Sequence, residues 1–138
     1  MTDADPCFLT LDEVLQLHSD QLRLFGGSDG LRDGGALESA VAMPSATFDG
    51  SFLHEDPFEM AAAYAFHIAE NQPFIDGNKR TALNAALVFL HLNGWNVSDP
   101  DMALYDAMIA FATRTLDKRG FARLLQSLAE PGEEDTPL

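Results

Sequence analysis

Apolar residues recur at helical spacing along most of the chain, and the gaps between the runs are rich in Gly, Pro, Asp and Asn. Leu11, Val14, Leu15, Leu17, Leu22 and Leu24 form the first such stripe; Thr10-Leu-Asp-Glu13 reads as its capping box and Gly26-Gly27 as its stop. A polar, Gly-rich turn from Ser28 to Gly35 leads into a short second helix, Ala36 to about Met43, ended by Pro44. Residues 45–55 have no helical period and mix Thr and Phe with turn residues, which predicts a small hairpin, or flap. Asp56 followed by Pro57 opens a third helix that reaches Asn71. After a turn from Gln72 to Gly77, a fourth helix runs from about Asn78 to Asn93, with Gly94 as its stop. It is apolar on most sides (Ala82, Leu83, Ala85, Ala86, Leu87, Val88, Phe89, Leu90, Leu92), the mark of a central buried helix. Asp99-Pro100 starts a fifth helix through about Thr113, and Asp117 a sixth to about Leu128. The fold expected is an all-α, single-domain bundle of about six helices with a small flap, followed over residues 129–138 by an acidic, disordered tail.

Length and charge narrow the function. At 138 residues the chain can bury a core without a metal or disulfides to staple it. Eight Lys and Arg against 22 Asp and Glu give a net charge of −14, which argues against duplex nucleic acid or an anionic membrane surface as a direct partner. A protein partner is expected. The single cysteine, Cys7, excludes an internal disulfide, the N-terminus has no basic or long apolar segment, and no apolar run is long enough to span a bilayer; these point to a cytoplasmic protein.

Against that negative background, Lys79 and Arg80 form a local positive island at the start of the fourth helix. The global field repels anions, so a phosphate ligand needs such an island. The helix start adds unpaired N–H groups and a positive dipole end near Gly77, Asn78 and Lys79. Asp76 beside them is a hard oxygen ligand suited to Mg²⁺, the usual companion of a nucleotide polyphosphate. The turn is not a P-loop: no Gly stands five residues before Gly77, and no Lys directly follows a Gly.

Gln72-Pro-Phe74-Ile-Asp76-Gly77-Asn78-Lys79-Arg80-Thr-Ala-Leu83-Asn84 resembles the signature of the Fic/Doc family, His-x-Phe-x-(Asp/Glu)-Gly-Asn-Gly-Arg-x-x-Arg. Lys79 in place of the last Gly, followed by Arg-Thr-Ala, is similar to the short death-on-curing (Doc) branch. The likeness extends through Phe8–His18, Gly35–Ala40 and Phe66–Asn71, so it covers about residues 8 to 128. The resemblance implies an all-helical fold that binds ATP or another nucleoside triphosphate with Mg²⁺ and modifies a hydroxyl of a target protein. Members with the Gly version mostly transfer AMP. The Doc branch transfers the γ-phosphate to a Thr of elongation factor Tu, a translation factor, and is restrained by an antitoxin protein. Lys79, and Leu83 where the motif has its second Arg, favour the phosphate-transfer branch. Carried over on the same terms, Asp76 holds Mg²⁺, Gly77 and Asn78 give backbone and amide donors to phosphate oxygens, and Lys79 and Arg80 neutralise charge developing in phosphoryl transfer. Phe74 anchors the loop in the core, and Asn84, one turn after Arg80, reinforces the site.

The departure is at Gln72, where the family has its catalytic His. A carboxamide does not take a proton from a hydroxyl near neutral pH as imidazole does, so binding survives while rate falls. Two explanations stay open: a substitution introduced to make a toxic protein harmless, or a natural variant turned into a binding module. His18, His67 and His91 read as structural; His54, in the flap, is the remaining histidine able to reach the site. Ser51-Phe-Leu-His-Glu55 matches an inhibitory motif whose Glu pairs with the motif's second Arg, but Leu83 removes that Arg. Restraint then falls to a separate chain, with Phe48, Phe52 and Leu53 as candidates for its groove or for the target-binding flap. The expected function is a Doc-like toxin, weakened at Gln72; the alternatives are a protein AMP transferase and a nucleotide- or protein-binding module without catalysis.

Overall fold

A computed structural model describes residues 5–132. Its elements in chain order are α1 (Leu11–Phe25), α2 (Gly34–Ala42), a 3₁₀ turn (Met43–Ser45), the hairpin β1 (Thr47–Phe48) and β2 (Ser51–Phe52), α3 (Pro57–Asn71), α4 (Asn78–Leu92), β3 (Trp95–Val97), α5 (Ala103–Ala112), α6 (Lys118–Leu128) and β4 (Ala129–Pro131). The all-α architecture, the six helices and the flap are as the sequence pattern predicts.

Helices α3 and α4 form the middle of the bundle, with α1 against α4 and with α2 and α6 against α3. Their facing positions are small: Ala61, Ala62, Ala65, Ala82, Ala85 and Ala86 are fully buried, which brings the two backbones close. Around them pack Tyr64, Phe89, Phe121, Leu90 and Leu125, all buried. The Tyr64 hydroxyl accepts a hydrogen bond from Leu9 N–H at 2.8 Å and so ties the N-terminal segment to the core; burial pushes its pKa up to about 12.

Three boundaries differ from the pattern. Helix α5 begins at Ala103, because both Asp99 carboxylate oxygens accept N–H groups across a turn, from Ala103 (2.8 Å) and Leu104 (2.9 Å). Residues 95–97 form β3, antiparallel to β4, pairing Val97 with Ala129 and Trp95 with Pro131. The ordered chain therefore runs past residue 128, where the sequence places the start of a tail; residues 133–138 lie outside the described residues. No described helix is long and apolar enough to cross a membrane.

Candidate functional site

The turn between α3 and α4 is held from three directions. Gln72 closes α3 in a left-handed conformation (φ 45°, ψ 56°), its N–H donating to Ile68 O. The reversal leaves the carbonyls of Asn71 and Gln72 outside the helix, and one side chain takes both: Arg32 donates to Asn71 O through Nη2 and to Gln72 O through Nε, each at 2.7 Å. The segment carrying Arg32 runs antiparallel to the turn, with Arg32 and Asp33 N–H donating to Pro73 O and Ile75 N–H to Gly30 O. Below, the Phe74 ring is buried and stacks face to face on His18 at 3.7 Å between centroids. The His18 Nε2 lies 2.8 Å from Asp76 O and donates to it, since a carbonyl only accepts. Asn78 completes the clamp: its Oδ1 accepts from Phe74 N–H (3.0 Å) and its Nδ2 donates to Phe74 O (2.9 Å).

This frame leaves α4 open at its start. Gly77 is the N-cap with φ +80° and has no side chain to offer. The first helical bond is Thr81 N–H to Gly77 O, and the N–H groups of Asn78, Lys79 and Arg80 have no acceptor among the described residues. The other five helices are capped by side chains, Thr10, Asp33, Asp56 and Asp117 at their N-caps and Asp99 for α5. Lys79 and Arg80 are exposed and form no ion pair among the described residues; the Arg80 guanidinium lies 4.7 Å over the Phe25 ring. Both face a cavity of about 520 Å³ whose apolar wall comes from Phe66 of α3 and Tyr105, Met108 and Phe111 of α5. The ion pair between Arg114 and Glu70, at 2.6 Å, also lines it.

Asp76 faces the same space. Its Oδ1 accepts from Gly77 N–H (2.9 Å) and its Oδ2 from Ser28 N–H (3.2 Å). A carboxylate has about four lone-pair positions, so these bonds orient Asp76 and leave capacity for one metal bond. No cluster of three or more metal-ligating side chains occurs among the described residues. A single carboxylate completed by substrate oxygens and water suits Mg²⁺ rather than zinc.

Gln72, Asp76, Gly77, Asn78, Lys79 and Arg80 thus converge on one cavity. Phe74 lies beneath it, as an anchor does. Asn84 is half-buried on α4 and does not line the cavity, and the Asn78 carboxamide is engaged with Phe74, so the donor Asn78 keeps uncommitted among the described residues is its backbone N–H. His54 lines a smaller cavity of about 330 Å³ with Glu59, Lys118 and Arg119, not the one at the turn, and burial lowers its pKa. His67 accepts from Lys118 Nζ at 3.2 Å; burial, then the neighbouring Lys118 charge, push it down to about 4. Glu55 does not line the turn cavity either. Phe48 and Leu53 are exposed, whereas Phe52 packs on Phe8 at 5.6 Å. Sequence reasoning missed Arg32, the α5 wall and the Glu70–Arg114 pair, and read His18 as structural without placing it under the turn.

Residues 8–90 match the model of the Fic/DOC family. The chain is 42% identical over 108 residues to Toxin Doc of Mycolicibacterium smegmatis, covering 76% of this chain and 82% of that protein. It is 35% identical over 118 residues to Protein kinase doc of Escherichia phage P1, covering 85% of this chain and 91% of the relative.

Proposed function

We propose that this chain, which belongs to the Fic/DOC family and to its Doc branch, is a toxin that transfers the γ-phosphate of ATP to a hydroxyl of a target protein, with a translation factor such as elongation factor Tu as the candidate target. The observation that carries the reading is the uncapped start of α4, where three N–H groups and two cations, without acceptor or ion pair among the described residues, lie at a cavity large enough for a nucleotide.

Phosphoryl transfer asks a protein for positioning and for charge stabilisation more than for covalent chemistry. Lys79, Arg80 and the N–H groups of residues 78–80 supply fixed positive potential where charge accumulates on the phosphate oxygens. Tyr105, Met108, Phe66 and Phe111 give a base and ribose an apolar wall. Asp76 is the residue to hold Mg²⁺, which when bound neutralises charge on the phosphates. Arg32, His18 and Asn78 keep the turn in place before a ligand arrives, so little reorganisation is left for binding. Gln72 lines the cavity where the family has its His, and offers a hydrogen bond without taking a proton. The chain as it stands is therefore a weakened enzyme, restrained further by a separate antitoxin chain.

Expression of the Gln72→His form in a bacterium, with amino-acid incorporation followed after induction, tests the reading. Translation arrest by Gln72→His, and slower or weaker arrest by the Gln72 chain, is expected. Undisturbed incorporation with well-folded Gln72→His protein present would sink the toxin assignment.

A further inference from the structure

A general base is worth about 10²–10⁴-fold in rate, and Gln72 is not one. We propose that Glu70 takes this role: in the Gln72 chain the target hydroxyl gives its proton to the Glu70 carboxylate. The inference rests on the phosphate-transfer reading and names the group that completes it.

Geometry leaves few alternatives. His18 is buried, stacked on Phe74 and committed through Nε2 to Asp76 O. His67 lines neither cavity and is held by Lys118, and His54 belongs to the smaller cavity. Of the side chains that line the turn cavity, two are carboxylates, Asp76 and Glu70. Asp76 sits at the helix start, with each oxygen already accepting a backbone N–H.

Glu70 lies in the last turn of α3, two residues before Gln72, and lines the cavity. Its Oε1 is held by Arg114 Nη2, and its side chain is 41% exposed; Oε2 has no hydrogen-bond partner among the described residues. Arg114 itself has φ 60°, a conformation rare for a residue with a side chain, at the turn after α5. One oxygen is thus oriented, and the other carries no hydrogen bond among the described residues. A carboxylate is chemically sufficient, because protein kinases of the eukaryotic type use an Asp for the same proton.

The step balances within the proposed reaction. The target hydroxyl oxygen forms a bond to the γ-phosphorus, the bond from that phosphorus to the β,γ-bridging oxygen breaks with its electron pair leaving on ADP, and the hydroxyl proton passes to Glu70 Oε2.

Glu70→Gln keeps the shape and removes the basicity. Transfer from γ-labelled ATP to protein in a desalted bacterial lysate is measured for four chains: the Gln72 chain, Glu70→Gln, Gln72→His, and the double change. In the Gln72 background, Glu70→Gln should lower transfer by about 10²-fold or more, the usual worth of a general base. In the Gln72→His background, where imidazole accepts the proton, the loss should be at least tenfold smaller. Equal losses in both backgrounds would make Glu70 a structural or binding residue and overturn the proposal. Transfer by Gln72→His with none by the Gln72 chain would also overturn it while leaving the phosphate-transfer reading intact. No transfer by any of the four, with all of them folded, overturns that reading as well.

Discussion

Replacing Lys79 and Arg80 together by Ala separates the site from the fold, because the two cations contribute to them in opposite directions. Lys79 has no polar partner among the described residues, and Arg80 has one contact, its stacking over Phe25 at 4.7 Å. An exposed cation–π contact is worth about 0.5–1 kcal/mol. Against that loss, both cations sit in the first turn of α4, where the helix dipole disfavours positive charge by about 0.3–1 kcal/mol each. The two effects offset, so the double variant should unfold within about 1 kcal/mol of the parent. Binding has no such offset. Hydrogen bonds to charged groups contribute about 1.5–3 kcal/mol each, so losing two of them should weaken binding by at least about 10²-fold. Thermal unfolding measures the first quantity, and calorimetric titration with a non-hydrolysable ATP analogue and Mg²⁺ the second. Equal affinity in parent and double variant would place the anion site elsewhere. A stability loss well beyond 1 kcal/mol would show that the cations support the fold after all.

Three further predictions follow from particular contacts. Asn78→Ala removes both clamps on Phe74 and should lower stability by about 1–3 kcal/mol, from two bonds of about 0.5–1.5 kcal/mol each; denaturant unfolding checks it, and no change would mean that the Phe74–His18 stack alone holds the turn. Asp76→Asn should bind the ATP analogue at least as well as the parent without Mg²⁺ and less well with it, because an uncompensated carboxylate repels phosphate; equal losses in both titrations would reduce Asp76 to a loop-shaping residue. The folded-state pKa of His67 is lowered from the ordinary histidine value of 6.5 to about 4, so the unfolded chain binds more protons between those values. The stability this contributes is complete above about pH 6.5 and is lost as the pH falls toward 4. After discounting for partial exposure it is on the order of 1–2 kcal/mol, and His67→Gln should flatten that part of the stability profile.

The helices were legible because burial and period agree: Val14 and His18 on α1, and Ala82, Ala85, Ala86, Phe89 and Leu90 on α4, face inward as their spacing requires. The β3–β4 pair was not, since three-residue strands joined across 31 intervening residues leave no local period. At the site, Gly77, Lys79 and Arg80 were readable from their chemistry, a flexible N-cap and two cations in an acidic chain. Arg32 was unreadable for a physical reason. Its role is to satisfy two carbonyls freed by the left-handed Gln72, and neither the reversal nor the distance across the fold is written near residue 32. Glu70 and Arg114 likewise look like solvated charges until the turn after α5 brings them together. The Asn78 amide, expected from the sequence to donate to phosphate, exchanges two hydrogen bonds with the Phe74 backbone, a pairing with no local signature in the sequence.

Positional labelling tests the central claim most directly. The Gln72→His chain is incubated with Mg²⁺ and a desalted bacterial lysate, once with ATP labelled at the γ-phosphate and once at the α-phosphate. The likeness to Toxin Doc and Protein kinase doc, with Lys79 and Leu83 at the two motif positions that differ from the AMP-transferring members, predicts label on a protein from the γ-position alone, at least tenfold above the Gln72 chain. Label from the α-position would make the protein an AMP transferase, and label from neither, with nucleotide still bound, would leave a binding module and contradict the account.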